Sequence, residues 1–321
     1  KIIIDSNGLN YQSEDDTYTV EYDTDGQTVS IVYSGATVGW IPESDVDVTE
    51  APVAPPTQRG IFAYGYTGSY VSMSNLVNSS GVVATDVTGV GTARSALGAA
   101  TYGGDKAIFA YGGTASNVSM SNLVSNSGVV GADVTGVGTA RSALSAAAYG
   151  LDKAIFAYGS APGASSLSNL VTNAGVVGTD VTGVGTVRNN LAATGYGITG
   201  QAIFAYGNNS GELSMSNLVN NVGVVATDVS GVGSARQRLA AAKYGDDKAL
   251  FGYGVNGGRF SLTNLVSNSG VIASDTTGVG TARELLAATN YGGDKAIFGY
   301  GDTGSAVSMT NLVNNSGVVA T

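Results

Sequence analysis

The sequence predicts an all-β fold, on three observations. One unit of about 47 residues recurs six times, each unit breaks into short apolar runs separated by turn residues, and the composition favours sheet over helix. The 321 residues include 48 glycines, about twice the ordinary share. Hydrophobic residues make up 43%, much of it Ala and Val, and the weighting of Val, Ile, Thr, Ser and Tyr suits strands.

The period is read from Ile/Leu-Phe-Ala/Gly-Tyr-Gly, whose Phe falls at Phe62, Phe109, Phe156, Phe204, Phe251 and Phe298, spaced 47, 47, 48, 47 and 47. A Ser/Thr-Asn-Leu-Val stretch follows each copy (Asn75, Asn122, Asn169, Asn217, Asn264, Asn311), and then Gly-Val-Val or Gly-Val-Ile from Gly81 to Gly317. A Gly-Val-Gly segment ending in Arg94, Arg141, Arg188, Arg236 or Arg283 leads into the next copy.

The second unit shows the expected elements. Strand a is Ala93 to Thr101, and Tyr102-Gly103-Gly104-Asp105 turns the chain. Strand b is Lys106 to Tyr111, strand c Val118 to Val124, and strand d the brief Gly128 to Val130. Helical repeats need about 10 residues per helix, longer than these Gly-broken runs. Four strands in about 47 residues is the size of a β-propeller blade. The expectation is a propeller over residues 59–321 of six four-stranded blades, or seven if further repeat follows. The array opens at a b strand and closes after a d strand, which leaves five a strands for six blades. Ring closure then needs an a strand from the segment before Gly60 or from chain beyond Thr321.

The order Arg, small apolar run, Tyr-Gly-x-Asp-Lys-Ala-Ile-Phe-Ala-Tyr-Gly, Asn-Leu-Val and a short last strand resembles the kelch repeat over residues about 59 to 321. The paired glycines of that repeat occur once, at Gly112-Gly113, and Val stands where kelch repeats carry Trp. The resemblance implies a propeller.

Residues 1–41 differ from the repeats. Lys1 to Leu9, Tyr18 to Tyr22 and Thr28 to Tyr33 are expected as strands, with Asp25-Gly26 as a hairpin turn between the last two and Gly35 to Ile41 closing the unit. Asp25 to Tyr33, with Gly39-Trp40 behind it, resembles a small β module recurrent in bacteriophage tail-fibre and virion proteins. The segment 42–58 holds four of the five prolines (Pro42, Pro52, Pro55, Pro56) and the acids Glu43, Asp45, Asp47 and Glu50, an extended, semi-rigid, acidic linker.

Composition removes several functions. A net charge of −10, from 14 basic and 24 acidic residues, argues against nucleic acid and anionic membrane as partners. No apolar run approaches the ~20 residues of a spanning helix, so membrane insertion is not expected, and Lys1 to Asp5 turns polar too soon for a signal peptide. The chain has no His and no Cys, which removes the usual zinc sites and the Ser-His-Asp and Cys-His nucleophile systems. No metal, no cofactor and no catalytic residue is expected.

Polar residues that recur in every unit belong to architecture. Asp86, Asp133, Asp180, Asp228 and Asp275 each lie eight residues before a repeated Arg, a spacing expected of ion pairs within or between blades. The pairs Asp105-Lys106, Asp152-Lys153, Asp247-Lys248 and Asp294-Lys295 are expected as polar a–b hairpin turns, and the repeated Tyr of strand b as packing residues. Asp23 to Gly26 is not an EF-hand loop, since its twelfth position is Val32. Gly89-Val90-Gly91 lacks the Lys-Ser/Thr of a phosphate loop.

What varies is the b–c loop. Candidate ligand-binding residues are Tyr66 and Tyr70 in the first, Asn117 in the second, and Asn208, Asn209 and Glu212 in the fourth. Asn256 and Arg259 in the fifth loop and Asp302 in the sixth complete the set. In an up-and-down blade these loops share one face, and function concentrates on loops held by a rigid scaffold. Their Asn, Ser, Tyr and Gly suit adaptable hydrogen bonding and stacking.

The resemblances together imply a non-enzymatic virion structural protein, a phage fibre or appendage on the particle surface. Its N-terminal module would join other virion proteins, and its propeller would recognise a host-surface glycan or protein. Fibres imply by analogy a homotrimer. Two alternatives stand beside it. One is a glycan-cleaving enzyme with two acids about 5 Å or 6.5–9.5 Å apart. The other is a decoration or surface-layer protein without a ligand.

Overall fold

The computed structural model describes residues 2–6, 8–11, 20–22, 29–43 and 60–321. The chain divides into two compact units, Lys1–Thr57 and Gln58–Thr321. Among the described residues there is no helix, and hence none long and apolar enough to cross a membrane.

In the N-terminal unit β1 (Ile2–Ile4) pairs antiparallel with β2 (Val20–Tyr22), and β3 (Ile31–Tyr33) with β4 (Trp40–Pro42). The Asp25-Gly26 turn and most of the Pro-rich segment lie outside the described residues. Tyr11 is the buried centre, packed by Ile4, Val29, Ile31 and Trp40. Gly39 is obligatory: at φ 75° its missing Cβ leaves room for the Asn10 carbonyl, which accepts the Trp40 N–H at 2.9 Å.

The second unit is six small antiparallel sheets in chain order. The first has two strands, β5 (Gly60–Tyr66) and β6 (Tyr70–Val77). The second is β7 (Gly98–Tyr102), β8 (Lys106–Ala110) and β9 (Ser121–Val124). The third is β10 (Ser145–Tyr149), β11 (Lys153–Ala157) and β12 (Ser168–Val171), and the fourth β13 (Ala192–Tyr196), β14 (Gln201–Ala205) and β15 (Ser216–Val219). In the fifth, β16 (Ala240–Tyr244) and β17 (Lys248–Gly252) are followed by a loop hairpin, β18 (Val255–Asn256) and β19 (Gly258–Arg259), before β20 (Thr263–Val266). The sixth is β21 (Ala287–Tyr291), β22 (Lys295–Gly299) and β23 (Thr310–Val313).

Four hydrogen-bonded strands per unit were expected, and the structure has three in each complete sheet. The fourth shrinks to single bridges, such as Val124 to Val130 and then Ser121 to Val134. The cause is local: the Ser125–Val129 turn passes through Gly128 at φ 81°, and the chain bends again after one pair. The expected a strand also starts too early. Arg94 to Leu97 turns through Ala96 at φ 53°, and pairing begins at Gly98. Strand c of this unit starts at Ser121 rather than Val118, because the Val118 N–H is spent on the Gly112 carbonyl across the b–c loop.

Strand b reads as an unbroken apolar run because neighbouring sheets cover both its faces. Ile155 and Phe156, adjacent and pointing oppositely, are both fully buried. The inner strands β7, β10, β13, β16 and β21 lie against one another in sequence, which accounts for their Ala, Gly and Ser. Each sheet locks to the next through a Tyr–Phe ring contact, from Tyr64–Phe109 to Tyr253–Phe298, with centroids 5.1 to 5.5 Å apart. Each such contact contributes roughly 0.5–1.5 kcal/mol beyond burial. A sixth, Tyr300–Phe62 at 5.3 Å, joins the last sheet to the first, where Phe62, Val77, Tyr291 and Ile297 form one buried cluster.

Candidate functional site

The repeated polar residues form junctions between sheets. The five arginines Arg94, Arg141, Arg188, Arg236 and Arg283 are fully buried. Each guanidinium stacks on the strand-b Tyr of the preceding sheet, 4.1 to 4.5 Å from the ring centroid. Within its own sheet Arg94 donates through Nε to the Tyr111 carbonyl at 2.9 Å and through Nη2 to Asn122 Oδ1 at 2.7 Å. Its acid is not Asp86, eight residues before it, but Asp133, at 4.0 Å, just as Arg141 meets Asp180 at 3.7 Å. Thr92 completes the junction, donating its hydroxyl to Asp133 at 2.7 Å.

Burial pulls the Arg94 guanidinium below its ordinary pKa, opposed by its ring and acid neighbours. Burial likewise pushes Tyr111 up to about 12. For Asp133, Asp180, Asp228 and Asp275 burial works to raise the pKa but loses: bonds from a Thr or Ser hydroxyl, an Asn amide and a backbone N–H, with the nearby Arg, hold each carboxyl below its ordinary value. Residues so enclosed serve the scaffold.

The varied residues lie elsewhere. Strands a and b meet at the Asp-Lys turn at one end, with Tyr102 opposite Lys106; the b–c loop leaves from the other end. There the second to sixth b–c loops each bridge the segment that follows the buried Arg: Ser95 to Gly113, Ser142 to Ser160, Asn189 to Asn208, Gln237 to Val255 and Glu284 to Asp302. Loop also touches loop. Tyr70 donates its hydroxyl to the Thr114 carbonyl at 2.8 Å, and Asn117 its amide to the Ser160 carbonyl at 2.9 Å. Tyr66 packs edge-on against Tyr70 at 5.4 Å and is more than half exposed.

The remaining candidates divide. Asn208 bridges Glu212 across the fourth loop, and the exposed Asn209 forms its tip. Glu212 accepts from Gln237 Nε2 at 3.0 Å, and Asn256 donates to the Ala235 carbonyl at 2.9 Å. Arg259 bridges two sheets, with Nη2 2.7 Å from Asp302 Oδ1 and 3.2 Å from Glu284 Oε1. Glu284, nearly buried, also binds Arg238 Nη1 at 3.0 Å. The structure therefore gathers Arg259 and Asp302 into one ionic cluster with Glu284 and Arg238, whereas Tyr66, Tyr70 and Asn117 belong to the first two loops.

Glu284 and Arg238 were not among the expected residues. They belong to a pair of positions behind each buried Arg: Ser95-Ala96, Ser142-Ala143, Asn189-Asn190, Gln237-Arg238 and Glu284-Leu285. The second of each pair has positive φ, 51° to 55°. These five residues form a backbone relay, in which the Ala143 N–H donates to the Ala96 carbonyl, Asn190 to Ala143, Arg238 to Asn190 and Leu285 to Arg238, at 2.8 to 2.9 Å. The sequence held a signal for them: they differ from unit to unit inside an otherwise repeated stretch.

The two carboxylates beside Arg259 converge on one guanidinium nitrogen and are charge-paired there. Among the described residues no group of three or more His, Cys, Asp or Glu is placed to hold a metal ion. The face can offer hydrogen bonds, aromatic edges and an ion-paired patch.

No family model matches the chain, and no curated protein matches it. Among solved structures it is similar to one described as "Structure of YjhT", with a TM-score of 0.60 at 9% identity, over 84% of this chain and 99% of that one. At that identity the likeness is one of fold.

Proposed function

We propose that residues 59–321 form a six-bladed, kelch-like β-propeller whose b–c loop face recognises a host-surface glycan or protein, on a virion fibre or appendage joined to other virion proteins by the N-terminal module. Supporting the ring is the sixth Tyr–Phe contact, Tyr300 to Phe62, of the same kind as the five between successive sheets. The observation that carries recognition is broken symmetry. Junction residues repeat in unit after unit, while the loop face alternates Tyr, Asn and Ser on one side with the Arg238–Glu284–Arg259–Asp302 cluster on the other. A face built only to pack against identical neighbours has no need of that asymmetry.

Glu284 and Asp302 are bound to arginine, an arrangement for holding hydroxyl or amide groups rather than for transferring protons. The reading is therefore of a binding protein rather than a glycosidase.

The test applies the whole chain to a glycan array and to bacterial cells, beside variants Tyr66→Ala, Asn117→Ala and Arg259→Ala. Saturable binding weakened tenfold or more by at least one of them is expected. Absence of binding to any glycan or cell, or binding indifferent to all three, would reject the recognition role. Release of reducing sugar ends from a bound polysaccharide would favour the enzyme instead.

A further inference from the structure

Charge is sorted between the two ends of the repeat unit. Lys106, Lys153, Lys248 and Lys295 stand at the a–b turns, each against the Asp before it. Lys243, beside that end of β16, faces the charges of Asp246 and Asp247. The five repeated arginines are enclosed in the junctions. Among the described residues of the second unit this leaves two cations on the b–c loop face, Arg238 and Arg259, and both are bound to carboxylates. Counting Glu212 with Glu284 and Asp302, three carboxylates stand there against two guanidinium groups.

The side chains on this face form one hydrogen-bonded strip across the third to sixth sheets. Asn189 donates to Ser160 Oγ at 2.9 Å, and Asn190 donates to Asn189 Oδ1 at 2.9 Å and to Gln237 Oε1 at 3.1 Å. Gln237 in turn donates to Glu212 Oε1 at 3.0 Å. The Arg238 main-chain N–H, on the Asn190 carbonyl at 2.8 Å, ties this amide run to the ionic cluster. The earlier stations, Ser95-Ala96 and Ser142-Ala143, carry side chains too short to span neighbouring sheets in this way.

These internal bonds leave a defined remainder. Asn190 spends both amide hydrogens, so its Oδ1 is an acceptor with no partner among the described residues. Glu212 keeps Oε2, Gln237 keeps one Nε2 hydrogen, and Arg238 keeps Nε and Nη2. Acceptors and donors thus stand on neighbouring residues, held in place before any ligand arrives, which lowers the ordering cost of binding. A sugar hydroxyl both donates and accepts and can use the two kinds together. A carboxylate, sulfate or phosphate only accepts, and would set its charge against Asn190 Oδ1 and Glu212. Leu285 alone along the strip is an exposed large hydrophobic side chain, too little for the desolvated centre of a protein interface.

We propose that the ligand of this face is a neutral oligosaccharide, whose hydroxyl groups lie between the acceptors Asn190 Oδ1 and Glu212 Oε2 and the free N–H groups of Gln237 and Arg238. The assignment rests on the recognition role proposed above and narrows it to one class of ligand and one half of the face.

The whole chain is applied to neutral, sialylated, sulfated and phosphorylated oligosaccharides, beside the variants Asn190→Ala and Arg238→Ala. Ala already holds the same left-handed conformation at Ala96 (φ 53°) and Ala143 (φ 51°), so both variants keep the backbone. Lys106→Gln, at the opposite end of the unit, is the control. Binding to neutral members is expected, weakened about tenfold or more by each rim variant and unchanged by the control. It should persist as salt rises from about 0.05 M to about 0.5 M, because the ligand carries no charge to be screened. Binding confined to acidic glycans, neutral-glycan binding indifferent to both rim variants, or attachment to cells that is abolished by protease would overturn the assignment and leave recognition standing. No binding to any glycan or cell would overturn both.

Discussion

Replacing Arg236 by Met keeps the side-chain volume and removes the guanidinium, so it isolates the polar part of one junction. Arg236 donates to the Tyr253 carbonyl at 2.8 Å, the Ser234 carbonyl at 3.1 Å and Asn264 Oδ1 at 2.8 Å, and stacks 4.2 Å from the Tyr206 centroid. Three acceptors left dry cost roughly 1–3 kcal/mol each, and the lost stacking costs about 1–2 kcal/mol. Against this, Met returns the desolvation of a buried charge, several kcal/mol. That penalty is visible in the guanidinium itself, which burial pulls below its ordinary pKa. The net loss is about 3 kcal/mol. With a urea m-value of about 3 kcal/mol/M for a unit of this size, the midpoint falls by about 1 M. The control is Arg238→Met, which removes a partly exposed ion pair and costs less than about 1 kcal/mol. In a double-mutant cycle, Arg236→Met with Tyr206→Leu leaves a coupling of about 1 kcal/mol. A change below about 0.5 kcal/mol for Arg236→Met, or one equal to the control, would refute the assignment of sheet cohesion to these junctions.

Three further outcomes follow from the same geometry. The carboxyls of Asp133, Asp180, Asp228 and Asp275 lie below their unfolded value of 3.8, so their contribution is complete above that pH and is lost as pH falls through the depressed folded values; stability measured against pH drops in that window, and converting the four to Asn flattens the drop. Tyr111 is raised from 10.0 to about 12, so its contribution is present below pH 10.0 and is lost as pH climbs to about 12; urea unfolding followed across that range shows the loss, and Tyr111→Phe removes it. Gly223→Ala combines φ 87° with a Cβ 2.9 Å from the Tyr149 ring and lowers stability by roughly 1–3 kcal/mol in urea unfolding, whereas Gly211→Ala, with open space around it, stays within about 0.5 kcal/mol.

The scaffold was legible in the sequence because its determinants repeat. Phe109, Tyr111 and Arg94 recur at fixed offsets, and the offsets became a Tyr–Phe contact made six times and an Arg–Tyr stack made five times. The fourth strand misled, since Gly128-Val129-Val130 has strand composition but only Val130 finds a partner before the chain turns. Half of the loop-face cluster escaped for a different reason. Ala96, Ala143, Asn190, Arg238 and Leu285 share a left-handed backbone but no common propensity for it; the conformation is imposed by the buried Arg on one side and the inner strand on the other. Composition could not announce it. Variation at an aligned position could have.

The relay through Ala96, Ala143, Asn190, Arg238 and Leu285 has an evolutionary consequence. Its hydrogen bonds run wholly through main-chain atoms, so the relay itself asks nothing of the side chain at each station. Ala, Asn, Arg and Leu already occupy the same backbone conformation. A lineage can therefore rewrite this rim one letter at a time, station by station, without repacking a sheet. Selection on what the rim touches and selection on whether the chain folds act on separate residues.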